Sequence, residues 1–110
     1  MRRALGTTAV LAAVLAGAGP VWADAIDGEW CSKDGKNLEI HGPRIRTPAG
    51  IETTGQYTRH SFGYEAPSGD PEYGLIIVMR IFSDDDMELA RIKDGQAGPS
   101  ELWHRCNVTS

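Results

Sequence analysis

The sequence predicts an all-β protein: a small antiparallel up-and-down barrel or rolled meander of six to seven strands, closed by one disulfide. Glycine and proline interrupt the chain too often for a helical period, with 13 glycines and 6 prolines among 110 residues. The segments between them are short and alternate apolar with polar residues, which is typical of half-buried strands. The two cysteines, Cys31 and Cys106, stand near opposite ends of this pattern.

The first 23 residues have the pattern of a bacterial export signal. Arg2 and Arg3 give a positive start, a run of small apolar residues follows, and Ala23 fits the −1 position of a cleavage site. The run is shorter than the roughly 20 apolar residues of a membrane span. We therefore expect residues 1–23 to be removed, and residues 24–110 to form a single β domain that acts in the periplasm or outside the cell.

The mature chain would be small and acidic. Loss of Arg2 and Arg3 changes the formal net charge from −4 to −6. This charge argues against binding to nucleic acid or to an anionic membrane surface. A domain of this size buries only about 60–65% of its unfolded surface, so it is expected to need additional stabilisation.

Cys31 and Cys106 are the expected source of that stabilisation. They are 75 positions apart, and the chain-entropy model assigns a loop of this length about 4.5 kcal/mol. Two free thiols or a pair of metal ligands are the alternatives, but the export signal favours an oxidised pair. The chain has no Cys-x-x-Cys motif, so thiol-exchange chemistry is not expected.

The first half of the mature chain predicts short strands and close turns. Residues 37–41 and 44–46 alternate as strands do. We expect Gly42-Pro43 between them to form a bend or wide loop, because proline is disfavoured at the third position of a type I turn. Residues 47–50, Thr-Pro-Ala-Gly, suit a type I turn, with proline second and glycine fourth.

Residues 51–65 are long for one strand, and their apolar positions change phase between Ile51 and Phe62. A β-bulge near Gly55 would add one residue and reconcile the two phases. Such a bulge also bends the strand, as a small barrel requires.

The second half contains the strongest strand, residues 75–81, followed by a hairpin tip at residues 83–86. Surface loops are expected at residues 66–71 and 94–100, with a final short strand at 102–106. The strongest strand is apolar on both faces, so either both faces are covered or the outer one meets a partner. This favours self-association or contact with another envelope protein. The first face comprises Leu75, Ile77, Met79 and Ile81, and the second Ile76, Val78 and Phe82.

Gly28-Glu29-Trp30 near the start and Arg105 near the end resemble the calycin superfamily of lipocalin-like barrels. In that superfamily the first-strand tryptophan packs against an arginine of the last strand. If the cysteines share one face, alternation places Trp30 and Arg105 inside, where the guanidinium can stack on the indole. Small secreted bacterial protease inhibitors share the Gly-x-Trp, but their disulfide closes a short N-terminal loop. The wide spacing of Cys31 and Cys106 departs from that pattern. The chain also resembles small periplasmic proteins of alphaproteobacteria, which implies no activity.

No motif predicts catalysis or metal binding. The adjacent pair His60-Ser61 would point to opposite faces of a strand, and we expect His60 to be a hydrogen-bonded core residue. His41, His60 and His104 lie in separate segments without ligand spacing. Asp84-Asp85-Asp86 lacks the spacing of a calcium loop. We expect no catalytic residue, no metal and no cofactor.

A candidate binding site comes from interleaved aromatic and cationic residues. Tyr57 and Arg59 are expected to share the face opposite Phe62. Together with Arg44 and Arg46 they would form a cationic-aromatic patch on an acidic protein, suited to an acidic ligand or a glycan. Ordinary cross-strand pairing is the alternative interpretation.

These patterns favour a non-enzymatic periplasmic or secreted binding or interaction module, with inhibition as one form that the binding could take. A small envelope-directed hydrolase and a structural accessory protein are the alternatives. The partners considered are an envelope protein, a glycan or an acidic ligand, with no nucleic acid and no membrane span.

The disulfide prediction is tested on exported protein. Alkylation without reductant should label neither Cys31 nor Cys106. Replacing either by serine should lower the free energy of unfolding by about 2–5 kcal/mol, because the unfolded chain regains loop freedom. Denaturant titration measures this loss, and two reactive thiols in the exported protein would contradict the pairing.

Overall fold

The computed structural model describes residues 25–107, which form one antiparallel sheet of ten strands and contain no helix. The all-β class is confirmed, while the number of strands exceeds the six to seven predicted. The strands are β1 (Gly28–Ser32), β2 (Asn37–His41), β3 (Arg44–Arg46), β4 (Glu52–Thr54), β5 (Gln56–Tyr57), β6 (Ser61–Glu65), β7 (Ile76–Ile81), β8 (Asp86–Lys93), β9 (Gln96–Ala97) and β10 (Glu101–Arg105).

The sheet rolls into a nearly closed barrel. Its strand order is β4-β3-β2-β1-β10-β8-β7-β6-β5, with β9 beside β8. The two strands that end this order, β4 and β5, are consecutive in the chain and separated only by Gly55. The N–H of Gly55 donates to the carbonyl of Pro43 at 2.9 Å. The chain therefore passes from one edge of the sheet to the other at Gly55, which closes the circle.

The segment 51–65 accounts for two of the additional strands. Where a β-bulge near Gly55 was expected, the strand ends and a new one begins at the other edge of the sheet, and the segment divides again at a turn between Tyr57 and Ser61. That turn contains neither glycine nor proline. The Thr58 hydroxyl accepts the N–H of Ser61 at 2.9 Å and lies 2.6 Å from its hydroxyl, so side chains replace the usual turn residues.

Gly42-Pro43 forms a two-residue hairpin loop, so the expectation of a bend or wide loop is wrong. His41 pairs with Arg44 across it. Gly42 has φ 57°, and proline holds φ near −65°. A positive φ followed by a negative one fits a type II′ turn with glycine first, which matches the twist of the flanking strands.

The core fills the inside of the barrel. Alternating residues of β7 and β8 point inward, and Ile77, Met79, Met87 and Leu89 are each 2% exposed or less. Trp30 and Trp103 are completely buried. The other inward side chains include Leu38, Ile40, Ile45, Phe62 and Tyr64, which join the same cluster.

One end of the barrel is covered by the segment that precedes β1. Ile26 is completely buried there. Its N–H donates to the carbonyl of Arg59 at 2.8 Å, and its own carbonyl accepts the indole N–H of Trp30 at 3.0 Å. We call residues 25–27 the plug, and this end of the barrel the plugged end.

Arg105 binds the plug to the sheet. It pairs with Trp30 across β1 and β10, and its guanidinium carbon lies 4.1 Å from the centroid of the Trp30 ring. The guanidinium donates to the carbonyls of Asp27 at 2.5 Å, Ala25 at 3.1 Å and Asp84 at 3.0 Å. Burial lowers the pKa of Arg105, and nearby aspartates, Asp85 foremost, oppose this shift.

The carboxylate of Asp27 adds a second set of bonds at the plugged end. One oxygen accepts the N–H of Gly42 at 2.6 Å, and the other accepts the hydroxyl of Tyr57 at 2.6 Å. The plug is thereby connected to the β2–β3 turn and to β5. These lie on the two sides of the junction at Gly55, where the barrel closes.

The disulfide joins Cys31 and Cys106 on the outside of the barrel, with their Cα atoms 5.0 Å apart. Cys31 lies opposite His104, and the N–H of Cys106 donates to the carbonyl of Glu29 at 3.2 Å. The two cysteines are therefore diagonal neighbours on one face, while Trp30 and Arg105 take the other, as the sequence predicted.

Gly55→Ala tests the closure. A Cβ at this position would collide with the carbonyl oxygen of Gly63 and come within 2.7 Å of Phe62 Cε1. We expect a loss of about 1–3 kcal/mol in the free energy of unfolding, since backbone must move to make room. Gly63→Ala is the matched control, because its Cβ meets nothing closer than 3.6 Å. Equal denaturation midpoints for the two variants would contradict this account.

A double-mutant cycle tests the contact between Trp30 and Arg105. Trp30→Ala should cost roughly 3–5 kcal/mol by emptying core volume. Arg105→Lys keeps the charge but loses the planar stack and the forked hydrogen bonds, so it should also destabilise the protein. We expect a coupling of about 0.5–2 kcal/mol from chemical denaturation. Strictly additive losses would show that the stack contributes nothing.

Candidate functional site

The outer surface of strands β6, β7 and β8 exposes apolar side chains at its centre. Residues paired directly across an antiparallel sheet share a face. Gly63, Val78 and Ala90 form one such row across the three strands, and Ile76 and Ile92 lie in the next. Val78 is 37% and Ile76 is 44% exposed. The sequence predicts an apolar second face on this strand, and residues 25–107 leave its Ile76 and Val78 exposed.

A groove of about 360 Å³ runs over this surface. It exists because Gly63 and Ala90, which flank Val78, carry little or no side chain. Arg80 and Glu88, paired with each other across β7 and β8, border it on one side. We define the β6–β8 outer face by its nine residues: Ser61, Gly63, Glu65, Ile76, Val78, Arg80, Glu88, Ala90 and Ile92.

The filled interior directs attention to this outer surface. Side chains as large as Trp30, Trp103 and Phe62 are at most 1% exposed inside the barrel. Their rings occupy the space in which a wider barrel would hold a ligand. Contacts with a partner are therefore expected from the outer surface or from the ends.

Arg44 and Arg46, two of the four predicted binding residues, point outward from β3 beside acidic partners. Arg44 Nη2 bonds to Glu52 Oε1, and Arg46 Nη1 donates to Glu39 Oε1 at 2.7 Å. The pKa of Glu39 is lowered, chiefly by its hydrogen bond to His41 and further by Arg46, against the effect of burial. Each arginine therefore already has a carboxylate beside it.

Tyr57 does not share an outer face with these arginines. It pairs directly with Phe62, its ring lies 6.4 Å from that of Phe62, and it packs against the core. The expectation that it lies on the face opposite Phe62 is therefore wrong, because a turn separates the two residues and they pair across a hairpin. Its hydrogen bond to Asp27 raises its pKa above the ordinary value.

Arg59 lies exposed in the turn after β5, where its carbonyl binds Ile26. The four predicted binding residues are therefore spread over the outside of β3, the barrel interior and a turn. Binding through Arg44, Arg46, Tyr57 and Arg59 stays a prediction.

The histidines occupy three separate places. His41 bonds to Glu39 at 2.8 Å, His104 faces outward on β10, and His60 is exposed in the turn before β6. The expectation of a core histidine at His60 is wrong, because the chain turns where one continuous strand was expected. Within residues 25–107 no group of acidic, histidine or cysteine side chains could hold a metal ion.

The acidic run of residues 84–86 lies at a hairpin tip, as predicted. The Ser83 hydroxyl donates to Asp86 Oδ2 at 3.0 Å. The carbonyl of Asp84 binds the Arg105 side chain, and that of Asp85 accepts the Arg105 N–H at 2.9 Å. This run therefore has a structural role, through main-chain atoms that its acidic composition does not reveal.

The barrel end away from the plug carries an ion-pair network that the sequence analysis missed. Arg91 bonds to Glu72 and, at 2.7 Å, to Glu101. Glu101 also accepts the indole N–H of Trp103 at 3.1 Å. These two bonds lower the pKa of Glu101 although burial acts to raise it. Arg91 follows Met87 and Leu89 at the alternate positions of β8 that face inward. A charged residue in this otherwise apolar series was the sequence signal that could have indicated the network.

A buried hydrogen bond fastens the long loop at the same end. The Thr47 hydroxyl, 1% exposed, donates to Asp70 Oδ2 at 2.9 Å. Asp70 also accepts the N–H of Glu72 at 2.9 Å. The loop at residues 66–71, expected at the surface, is therefore partly anchored.

No protein-family model, curated protein or solved structure matches this chain. The described part of the chain holds no helix with the length and hydropathy needed to cross a membrane.

Proposed function

We propose that this chain is a non-enzymatic interaction module that docks a protein partner through the β6–β8 outer face. The observation that carries the proposal is the exposed apolar pair Ile76 and Val78 at the centre of a continuous, grooved sheet surface. Isolated apolar residues on a surface are ordinary, but neighbouring ones on a regular face favour an interface.

The composition of the face favours a protein over a glycan or an acidic ligand. Its centre is aliphatic, and its charged residues lie at the two ends: Arg80 beside Glu88 at one end, and Glu65 beside Ile76 at the other. A centre of apolar side chains with a polar rim is the usual anatomy of protein interfaces. An acidic ligand would instead need cations without a neighbouring carboxylate.

The proposal includes location in the periplasm or secretion from the cell. The disulfide between Cys31 and Cys106 supports it, because such bonds persist in oxidising compartments. The export signal proposed for residues 1–23 lies outside the described residues.

A calycin-like ancestry is part of the same proposal. It is supported by Trp30, which follows Gly28 on the first strand, and by its stack on Arg105 of the last strand. The resemblance adds a barrel architecture and no substrate. Inhibition of a partner enzyme is one consequence that docking would have, and a structural accessory role is another.

Site-specific photocrosslinking in the periplasm tests the proposal. A benzophenone amino acid replaces Val78, and the same residue at exposed His41 on the opposite side of the barrel is the control. We expect a discrete protein adduct from position 78 and little from position 41. Absence of adducts at position 78, or equal labelling from both positions, would contradict it. Turnover in a broad hydrolase screen of the purified protein would favour the envelope-directed hydrolase instead.

A further inference from the structure

We infer that the partner of the β6–β8 outer face is a second copy of this chain, related by a two-fold axis parallel to the strands between β7 and β8. The inference rests on the proposed function and names the occupant of the same face. Its basis is the pattern of residues that the register places side by side on the two strands.

The outer residues of β7 and β8 form three matched pairs. Arg80 lies opposite Glu88, Val78 opposite Ala90, and Ile76 opposite Ile92. A two-fold axis between the strands exchanges β7 with β8 and leaves each level along the strands unchanged. Every outer residue of β7 and β8 in the first copy would therefore face its own cross-strand partner, now contributed by the second copy.

This arrangement is complementary in charge. Arg80 of each copy would face Glu88 of the other, which gives two opposite-charge contacts. An axis along β7 itself would instead bring Arg80 against Arg80 in the second copy. Like charges placed opposite one another are destabilising, so the charge pattern selects the axis between the strands.

The arrangement is also complementary in size. Val78 would lie over Ala90, so that a large side chain of each copy packs over a small one of the other. Ile76 would meet Ile92, which buries the more exposed of the two apolar rows. On the outer strands, Leu102, 58% exposed and paired with Glu88, would lie over Ser61, which pairs with Arg80.

The size of the face sets the expected affinity. Four strands about 4.8 Å apart and about six residues long present on the order of 400 Å² per copy. Standard stable interfaces bury about 800 Å² per partner. The face is about half the standard size, so we expect a weak, reversible dimer that forms at high protein concentration and dissociates on dilution.

Charge exchange tests the inference directly. Sedimentation velocity on the mature protein across a concentration series should show a monomer–dimer equilibrium. Arg80→Glu and Glu88→Arg should each weaken self-association at least tenfold, because like charges then face each other across the axis. An equimolar mixture of the two variants should regain dimers with one copy of each, since the opposite pairs are restored only between chains.

The mixture separates an interface role from a structural one. Both single variants also lose the Arg80–Glu88 pair within the chain, and mixing cannot repair that loss. Lys33→Glu, in the exposed turn between β1 and β2, is the control and should leave the equilibrium unchanged. Thermal melts of each variant establish that it is folded.

A monomer at all concentrations would overturn the inference, as would single variants that associate like the unaltered protein. The proposed function has its own readout in the crosslink from position 78. An adduct of a different protein with a monomeric chain would reject self-association and support docking. An adduct at twice the mass of this chain, lost in Arg80→Glu, would support both.

Discussion

The guanidinium of Arg105 holds together the two ends of the described chain. It lies on the ring of Trp30 and donates to carbonyls of Asp27, Ala25 and Asp84, so three segments meet at one cation. A charge in such a place is costly to bury unless its donors find acceptors. The extended plug supplies two of those acceptors, so the plug, the first strand and the last strand depend on one another.

Asp27 extends this arrangement to the other closure of the barrel. Its carbonyl serves Arg105, while its carboxylate serves Gly42 and Tyr57. Two junctions close the sheet into a barrel: the pairing of β1 with β10, and the passage from β4 to β5 at Gly55. Both closures converge on the three residues that precede β1.

Alternation, turn residues and the cysteines were sufficient to predict the fold class, the disulfide and the inward placement of Trp30. What the sequence did not reveal depends on contacts between distant residues. The turn at Thr58 is made by hydroxyl groups, which leave a weaker pattern than glycine or proline. Missing it placed His60 in the core and Tyr57 on the wrong face. The apolar outer face of β7 was visible in the sequence, but its pairing with Ala90 and Ile92 required the register.

The disulfide has a mechanical consequence. Cys31 and Cys106 are 75 positions apart and lie near the two ends of the described residues, so a pulling force applied beyond them passes through the disulfide and bypasses the residues between them. Strands β2 to β10 lie within the loop that the disulfide closes, so the hydrogen bonds among these strands carry none of that load. Pulling on residues outside the two cysteines would therefore leave strands β2 to β10, and the β6–β8 outer face with them, folded.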